Sequence, residues 1–134
     1  MSPRNRRILI AMLVLSACLA VMAPEAGDSA PYGKITEMRL TASPNNWGGP
    51  CPVTINFNGF IRLDGPNTVI YAIDRSDGAK GMGQQTLHFQ AAGTRPVHFT
   101  WRLGSPGENF HGWAQVASGS SRSNQAQFQL HCRR

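Results

Sequence analysis

The residue types best equipped for chemistry in this sequence are four histidines, three tryptophans and three cysteines. His88 and His98 lie in two runs of alternating polarity, Gln84–Ala91 and Arg95–Leu103, joined by Ala92-Gly93-Thr94. A hairpin matching Phe89 to Val97 and Leu87 to Phe99 keeps the apolar faces together and sets His88 opposite His98 on the outer face. Directly opposed cross-strand residues have Cβ atoms about 4.5–5.5 Å apart. Two neutral imidazoles at that distance can grip Zn²⁺ or Cu²⁺. A metal centre wants a third ligand, and neither His111 nor His131 can be placed beside the pair. Polar outward residues are therefore the plainer reading, and no cofactor is expected.

The tryptophans point to binding instead. Trp47 sits in Ser43-Pro44-Asn45-Asn46-Trp47-Gly48-Gly49-Pro50, which reads as a loop. A loop indole can stack on a sugar ring or fill a partner's pocket; the alternative is that it packs over a bridge at Cys51. Phe110, His111 and Trp113 form a second aromatic group, with Phe110 and His111 placed in a loop. Hydrolytic chemistry finds no support: there is no Gly-x-Ser-x-Gly, no His-Glu-x-x-His and no Gly-rich phosphate loop. The acids beyond residue 33 are Glu37, Asp64, Asp74, Asp77 and Glu108, none paired for general acid–base work. Asp74 and Asp77 flank a turn, and Arg75 and Lys80 beside them repel a cation. No enzyme is expected.

These side chains must be positioned by β-structure. Seven runs have a two-residue period: Ile35–Ala42, Pro52–Ile61, Thr68–Asp74, Gln84–Ala91, Arg95–Leu103, Gly112–Ser118 and Asn124–Cys132. Val53, Ile55 and Phe57 alternate with Thr54, Asn56 and Asn58. Val97, Phe99 and Trp101 alternate with His98, Thr100 and Arg102. Ala126, Phe128 and Leu130 alternate with Gln127, Gln129 and His131. Apolar-in, polar-out patterning of this kind makes antiparallel sheets with one wet face each, packed as a sandwich. Between the runs stand Gly-, Pro-, Asn- and Ser-rich turns. Trp101 is expected in the core.

The N-terminus reads as an address. Arg4, Arg6 and Arg7 precede an uncharged apolar run from Ile8 to Ala23. That is the pattern of a secretory signal, and it is short for a membrane span. Leu15-Ser16-Ala17-Cys18 matches a bacterial lipobox, which would lipidate Cys18; ordinary cleavage at a small residue is the alternative. Residues 1–23 are thus expected as signal peptide, 24–33 as flexible lead-in and 34–134 as the domain. With Cys18 removed or lipidated, Cys51 and Cys132 remain as an even pair in an oxidising compartment. Either they form a disulfide or they are two buried thiols. Cys132 shares the inward parity of Phe128 and Leu130.

CPVTINFNGFI, NTVIYAIDRSDGA, LHFQAAGTRPVHFTWRLG, GW and SNQAQFQLHC together resemble a bacterial extracytoplasmic Ig-like module, over about Thr41 to Cys132. The resemblance implies an Ig-like antiparallel sandwich of about seven strands with one disulfide, between the second and last strands. It implies no activity.

From Pro31 onward there are 10 Lys or Arg and 5 Asp or Glu. A basic exported domain can lie against anionic lipid or acidic polymer, but its cations are scattered, and nucleic acid is not an expected partner. The sequence reads as an exported, non-catalytic binding or accessory module. Its partner is expected to be a protein or glycan of the periplasm, envelope or medium, and a membrane is met only through a lipid on Cys18. The alternatives are a secreted hydrolase inhibitor with the Trp47 loop as plug, and a small metal-binding envelope protein using His88 and His98.

Overall fold

The computed structural model describes residues 32–134. The stretches expected as signal peptide, as a lipobox at Cys18 and, up to residue 31, as lead-in lie outside the described residues. Gly33, assigned to the lead-in, is buried. Its N–H donates to the Pro66 carbonyl at 2.8 Å, and its carbonyl accepts from the Asn67 amide at 2.9 Å.

Nine strands follow: β1 Ile35–Ser43, β2 Asn46–Gly49, β3 Val53–Leu63, β4 Asn67–Arg75, β5 Met82–Phe89, β6 Gly93–Leu103, β7 Asn109–Ser118, β8 Ser121–Arg122 and β9 Ala126–Cys132. They form two sheets. The smaller has the order β1-β3-β6; the larger has the order β2-β9-β7-β4-β5, with β8 paired to β7. This is an immunoglobulin-like sandwich: one sheet holds the first, second and fifth long strands, and the other holds the remainder. Every run expected to be a strand is one. The additions are β2, expected as a loop, and the two-residue β8.

The alternating pattern decides which side chains go inward. Leu40, Ile55, Phe57, Ile61 and Leu63 from the smaller sheet meet Val116, Phe128 and Leu130 from the larger, all essentially without solvent contact. Burying each such side chain contributes about 1.5–3 kcal/mol. Phe57 and Phe99, opposed across β3 and β6, stack with centroids 4.8 Å apart, and Phe128 meets Phe57 edge-on at 5.8 Å. Trp101 is 7% exposed and reaches across to Phe128 and Phe110 in edge contacts at 5.4 and 6.2 Å. The expected core indole is in place. At Gly59 a Cβ would run into the Arg39 carbonyl, so glycine lets β1 close on β3 there.

Two ties hold the sheets together. Cys51, before β3, is bonded to Cys132, at the end of β9, with Cα atoms 5.5 Å apart. The pair is a disulfide and not two thiols. It closes a separation of 81 residues, worth roughly 4–5 kcal/mol on the chain-entropy model. Gly104, with φ +106°, packs on both sulfurs, where a side chain would not fit. On the β1 side, the Asn124 side chain accepts from Leu40 N–H at 2.9 Å and donates to Leu40 C=O at 2.8 Å. One amide thus completes the backbone pairing of β1 from the chain that leads into β9.

Candidate functional site

The His88–His98 pair does not form. β5 pairs with β4 and β6 with β3, so the two histidines belong to different sheets. His88 stands opposite Thr68 and lies 3.2 Å from its hydroxyl; His98 stands opposite Asn58, Nδ1 to Oδ1 2.7 Å. The link at residues 90–92 crosses between sheets where a hairpin was expected. The reason is the ladder on the other side: β6 matches β3 over eleven successive residue pairs, more pairing than the local hairpin offers. Among the described residues no group of three or more His, Cys, Asp or Glu is placed to hold a metal ion.

Trp47 is not in a projecting loop. It lies in β2, parallel to β9 and level with Leu130. Its indole packs against the core, and its ring N–H donates to the Pro50 carbonyl at 3.0 Å. The indole is thus part of an edge strand packed on the core and is not carried on a projecting loop. Phe110 and His111 are likewise in β7 and not in a loop. Phe110 pairs with Leu130 from the other side, turns inward and meets Trp101 and Phe128. The inward row therefore runs Trp47, Leu130, Phe110. The missed signal was period: Phe110, Gly112, Ala114 and Val116 share one parity, so the strand begins before Gly112.

The same register puts the remaining candidates on the outer face of the larger sheet. Residues directly opposed in a sheet project to one side. Asn46 is level with Gln129, and Gln129 with His111. Gly48 is level with His131, and His131 with Asn109. Gln127 is level with Trp113. His111, Gln127, Gln129, His131 and Asn109 are exposed, and Trp113 is half-buried. The main-chain N–H of Trp113 donates to the Ser76 hydroxyl at 3.0 Å. The His111 Nε2 lies 3.0 Å from the Gln127 carbonyl oxygen, and the His131 Nδ1 lies 3.1 Å from that of Asn109. No Asp, Glu, Lys or Arg stands in these rows. The sequence reading found His111 and Trp113 but not their amide neighbours. The readable signal was Asn-x-His-x-Trp at 109–113 and Gln-x-Gln-x-His at 127–131, two outward sets awaiting adjacent strands.

The edges of this face are tied by charge. Asp74, 8% exposed, accepts from Gly81 N–H at 3.0 Å and lies 4.0 Å from the Arg122 guanidinium. Asp77 accepts two hydrogen bonds from Arg75, at 3.2 and 2.6 Å, and one from Ala79 N–H at 3.1 Å. The hydrogen bond from Arg75 is the main cause that holds the Asp77 carboxyl below the usual carboxylate range. Arg75 also covers the Trp101 ring at 4.2 Å. These acids close a turn around their own arginine and backbone.

No protein-family model matches the chain, and no curated protein matches it. Among solved structures, it is similar to the PKD domain of an M14-like peptidase from a Thermoplasmatales archaeon: 17% identity, TM-score 0.43, over 78% of this chain and all of that one. It is also similar to Pseudomonas fluorescens alkylpurine DNA glycosylase AlkC, at 15% identity and TM-score 0.46, over 72% of this chain and 31% of the glycosylase. Neither likeness bears on ligand or activity.

Proposed function

We propose that this chain is an exported, non-catalytic Ig-like binding or accessory module. It contacts a component of the envelope or extracellular space through the outer face of β2, β9 and β7. One observation carries the reading: Trp113, His111, Gln127, Gln129, His131 and Asn109 share a face, and none of the six carries a fixed charge. Amide, imidazole and indole groups on rigid strands form a recognition surface with little entropy to lose on binding. Export is supported by the N-terminal signal pattern and by the Cys51–Cys132 disulfide, which needs an oxidising compartment. Lipidation at Cys18 remains one of two maturation routes, and the intact mass of exported protein separates them.

The test is retention on envelope material. The full chain is produced with its own N-terminus in a bacterial host, and the mature domain is mixed with isolated envelopes and sedimented. Wild type pellets, Gln129→Lys does not, and Asn56→Lys on the smaller sheet behaves as wild type. Failure of wild type to pellet, or equal loss in both variants, overturns the reading.

A further inference from the structure

The geometry points to a neutral, hydroxyl-rich polysaccharide as the ligand of this face, and the inference rests on the binding reading above. From Pro31 onward the chain carries twice as many Lys and Arg as Asp and Glu, yet none of these stands in the rows around Trp113. The cations that border this face on β4 and β8, Arg75 and Arg122, are each drawn to an aspartate, Asp77 and Asp74. A ligand without charge loses nothing here and meets no ion that must be desolvated.

A sugar hydroxyl both donates and accepts, so its site must offer both. Where the Gln127 carbonyl oxygen accepts from His111 Nε2–H, the His111 Nδ1 is left as an acceptor and the Gln127 NH₂ as a donor. Where the Asn109 oxygen accepts from His131 Nδ1–H, the His131 Nε2 is left as an acceptor and the Asn109 NH₂ as a donor. Two buttressed pairs thus present two donors and two acceptors, each fixed in direction by its neighbour. Gln129, between them in the sheet, adds a further amide.

Trp113, half-buried on a strand whose backbone is tied to Ser76 at that residue, supplies an apolar ring surface for the C–H face of a pyranose, with polar partners at its rim. From Trp113 to Asn109 the strand advances about 14 Å at about 3.4 Å per residue, and the three strands span about 10 Å. That strip is long enough for a short stretch of polymer laid across the strands, which fits an internal polysaccharide segment.

Affinity electrophoresis of the mature protein decides this, in gels containing a soluble β-glucan, a mannan or dextran, with polygalacturonate as the acidic probe. At least one neutral polymer should retard the protein, unchanged between low and high salt. Trp113→Ala should weaken retardation tenfold or more, and Trp113→Phe, which keeps a ring, should fall between the two. Glu37→Gln on the smaller sheet should behave as wild type. The urea midpoint of each variant confirms that the fold is kept. Retardation by polygalacturonate alone, released by salt, overturns the inference. So does retardation by no polymer. If envelopes still retain wild type but not Gln129→Lys in that case, the face binds a protein and only the glycan assignment fails. If envelope retention is also absent, both fail.

Discussion

The two sheets of this sandwich share a core but present opposite chemistry to solvent. On the smaller sheet, Glu37 binds Arg39 at 3.0 Å and Arg62 at 2.8 Å, and Arg62 bonds Thr94 and lies over Phe60. The Asn58 side chain is taken up by His98, and the residue's main-chain carbonyl accepts from the Thr41 hydroxyl. These outward groups find partners on their own sheet. On the larger sheet, the rows from Asn109 to Trp113 and from Gln127 to His131 hold no Asp, Glu, Lys or Arg. Both patterns satisfy the same polar-out rule, so the rule that builds the fold leaves the outer composition free. A paired ionic surface mostly serves solubility. A neutral surface of amides, imidazoles and an indole is open to a ligand.

The comparison can be broken at its base, and the largest effect is expected there. Trp101 stands on the smaller sheet and props Phe110 and Phe128 of the larger one. Trp101→Ala should cost about 3–5 kcal/mol in urea unfolding, because the cavity opens between the sheets. It should also weaken binding by disturbing β7 and β9 together. Next comes the bridge: Cys51→Ala with Cys132→Ala should lower stability by up to roughly 4–5 kcal/mol, and less where the unfolded chain stays compact. A change under about 1 kcal/mol in either experiment contradicts the packing described.

Smaller substitutions sharpen the contrast. Trp113→Ala should abolish most binding while shifting stability much less than Trp101→Ala, since Trp113 is only half-buried. Glu37→Gln should leave binding alone and cost well under about 1 kcal/mol, as exposed ion pairs do. The least effect concerns pH. The Asp77 carboxyl is depressed by Arg75, so its contribution to stability is complete above the ordinary carboxylate value of 3.8 and is lost as pH falls through the lower folded value. Asp77→Asn should flatten the pH dependence of the urea midpoint in that acid range, with no effect near neutrality. A midpoint that falls as steeply in the variant would show that other carboxyls carry the acid response.

Much of the fold was legible because β-strands write their faces into every second residue. Val53-x-Ile55-x-Phe57 and Ala126-x-Phe128-x-Leu130 announce the core directly, and cysteine parity announces the bridge. What local pattern does not carry is the choice of partner strand. A short link between Phe89 and Arg95 fits a hairpin and a crossing between sheets equally well, and only the eleven-pair ladder of β3 with β6 decides. Trp47 shows the same limit. Asn46-Trp47-Gly48-Gly49 has no apolar period, and it becomes a strand only by pairing in parallel with β9, more than eighty positions away. The site was half legible for this reason. His111 and Trp113 stood out by type, whereas Asn109, Gln127, Gln129 and His131 join them only once β7 and β9 are neighbours.

The central claim is that the neutral outer face is the binding face, and backbone amide shifts report it residue by residue. Isotope-labelled mature protein is titrated with fragments of whichever neutral polysaccharide retards it. The account predicts shift changes confined to residues 46–48, 109–113 and 127–131, including the Trp113 indole N–H, with β1, β3 and β6 silent. Changes centred on Arg39, Arg62 and His98, or none at saturating polymer, would contradict it.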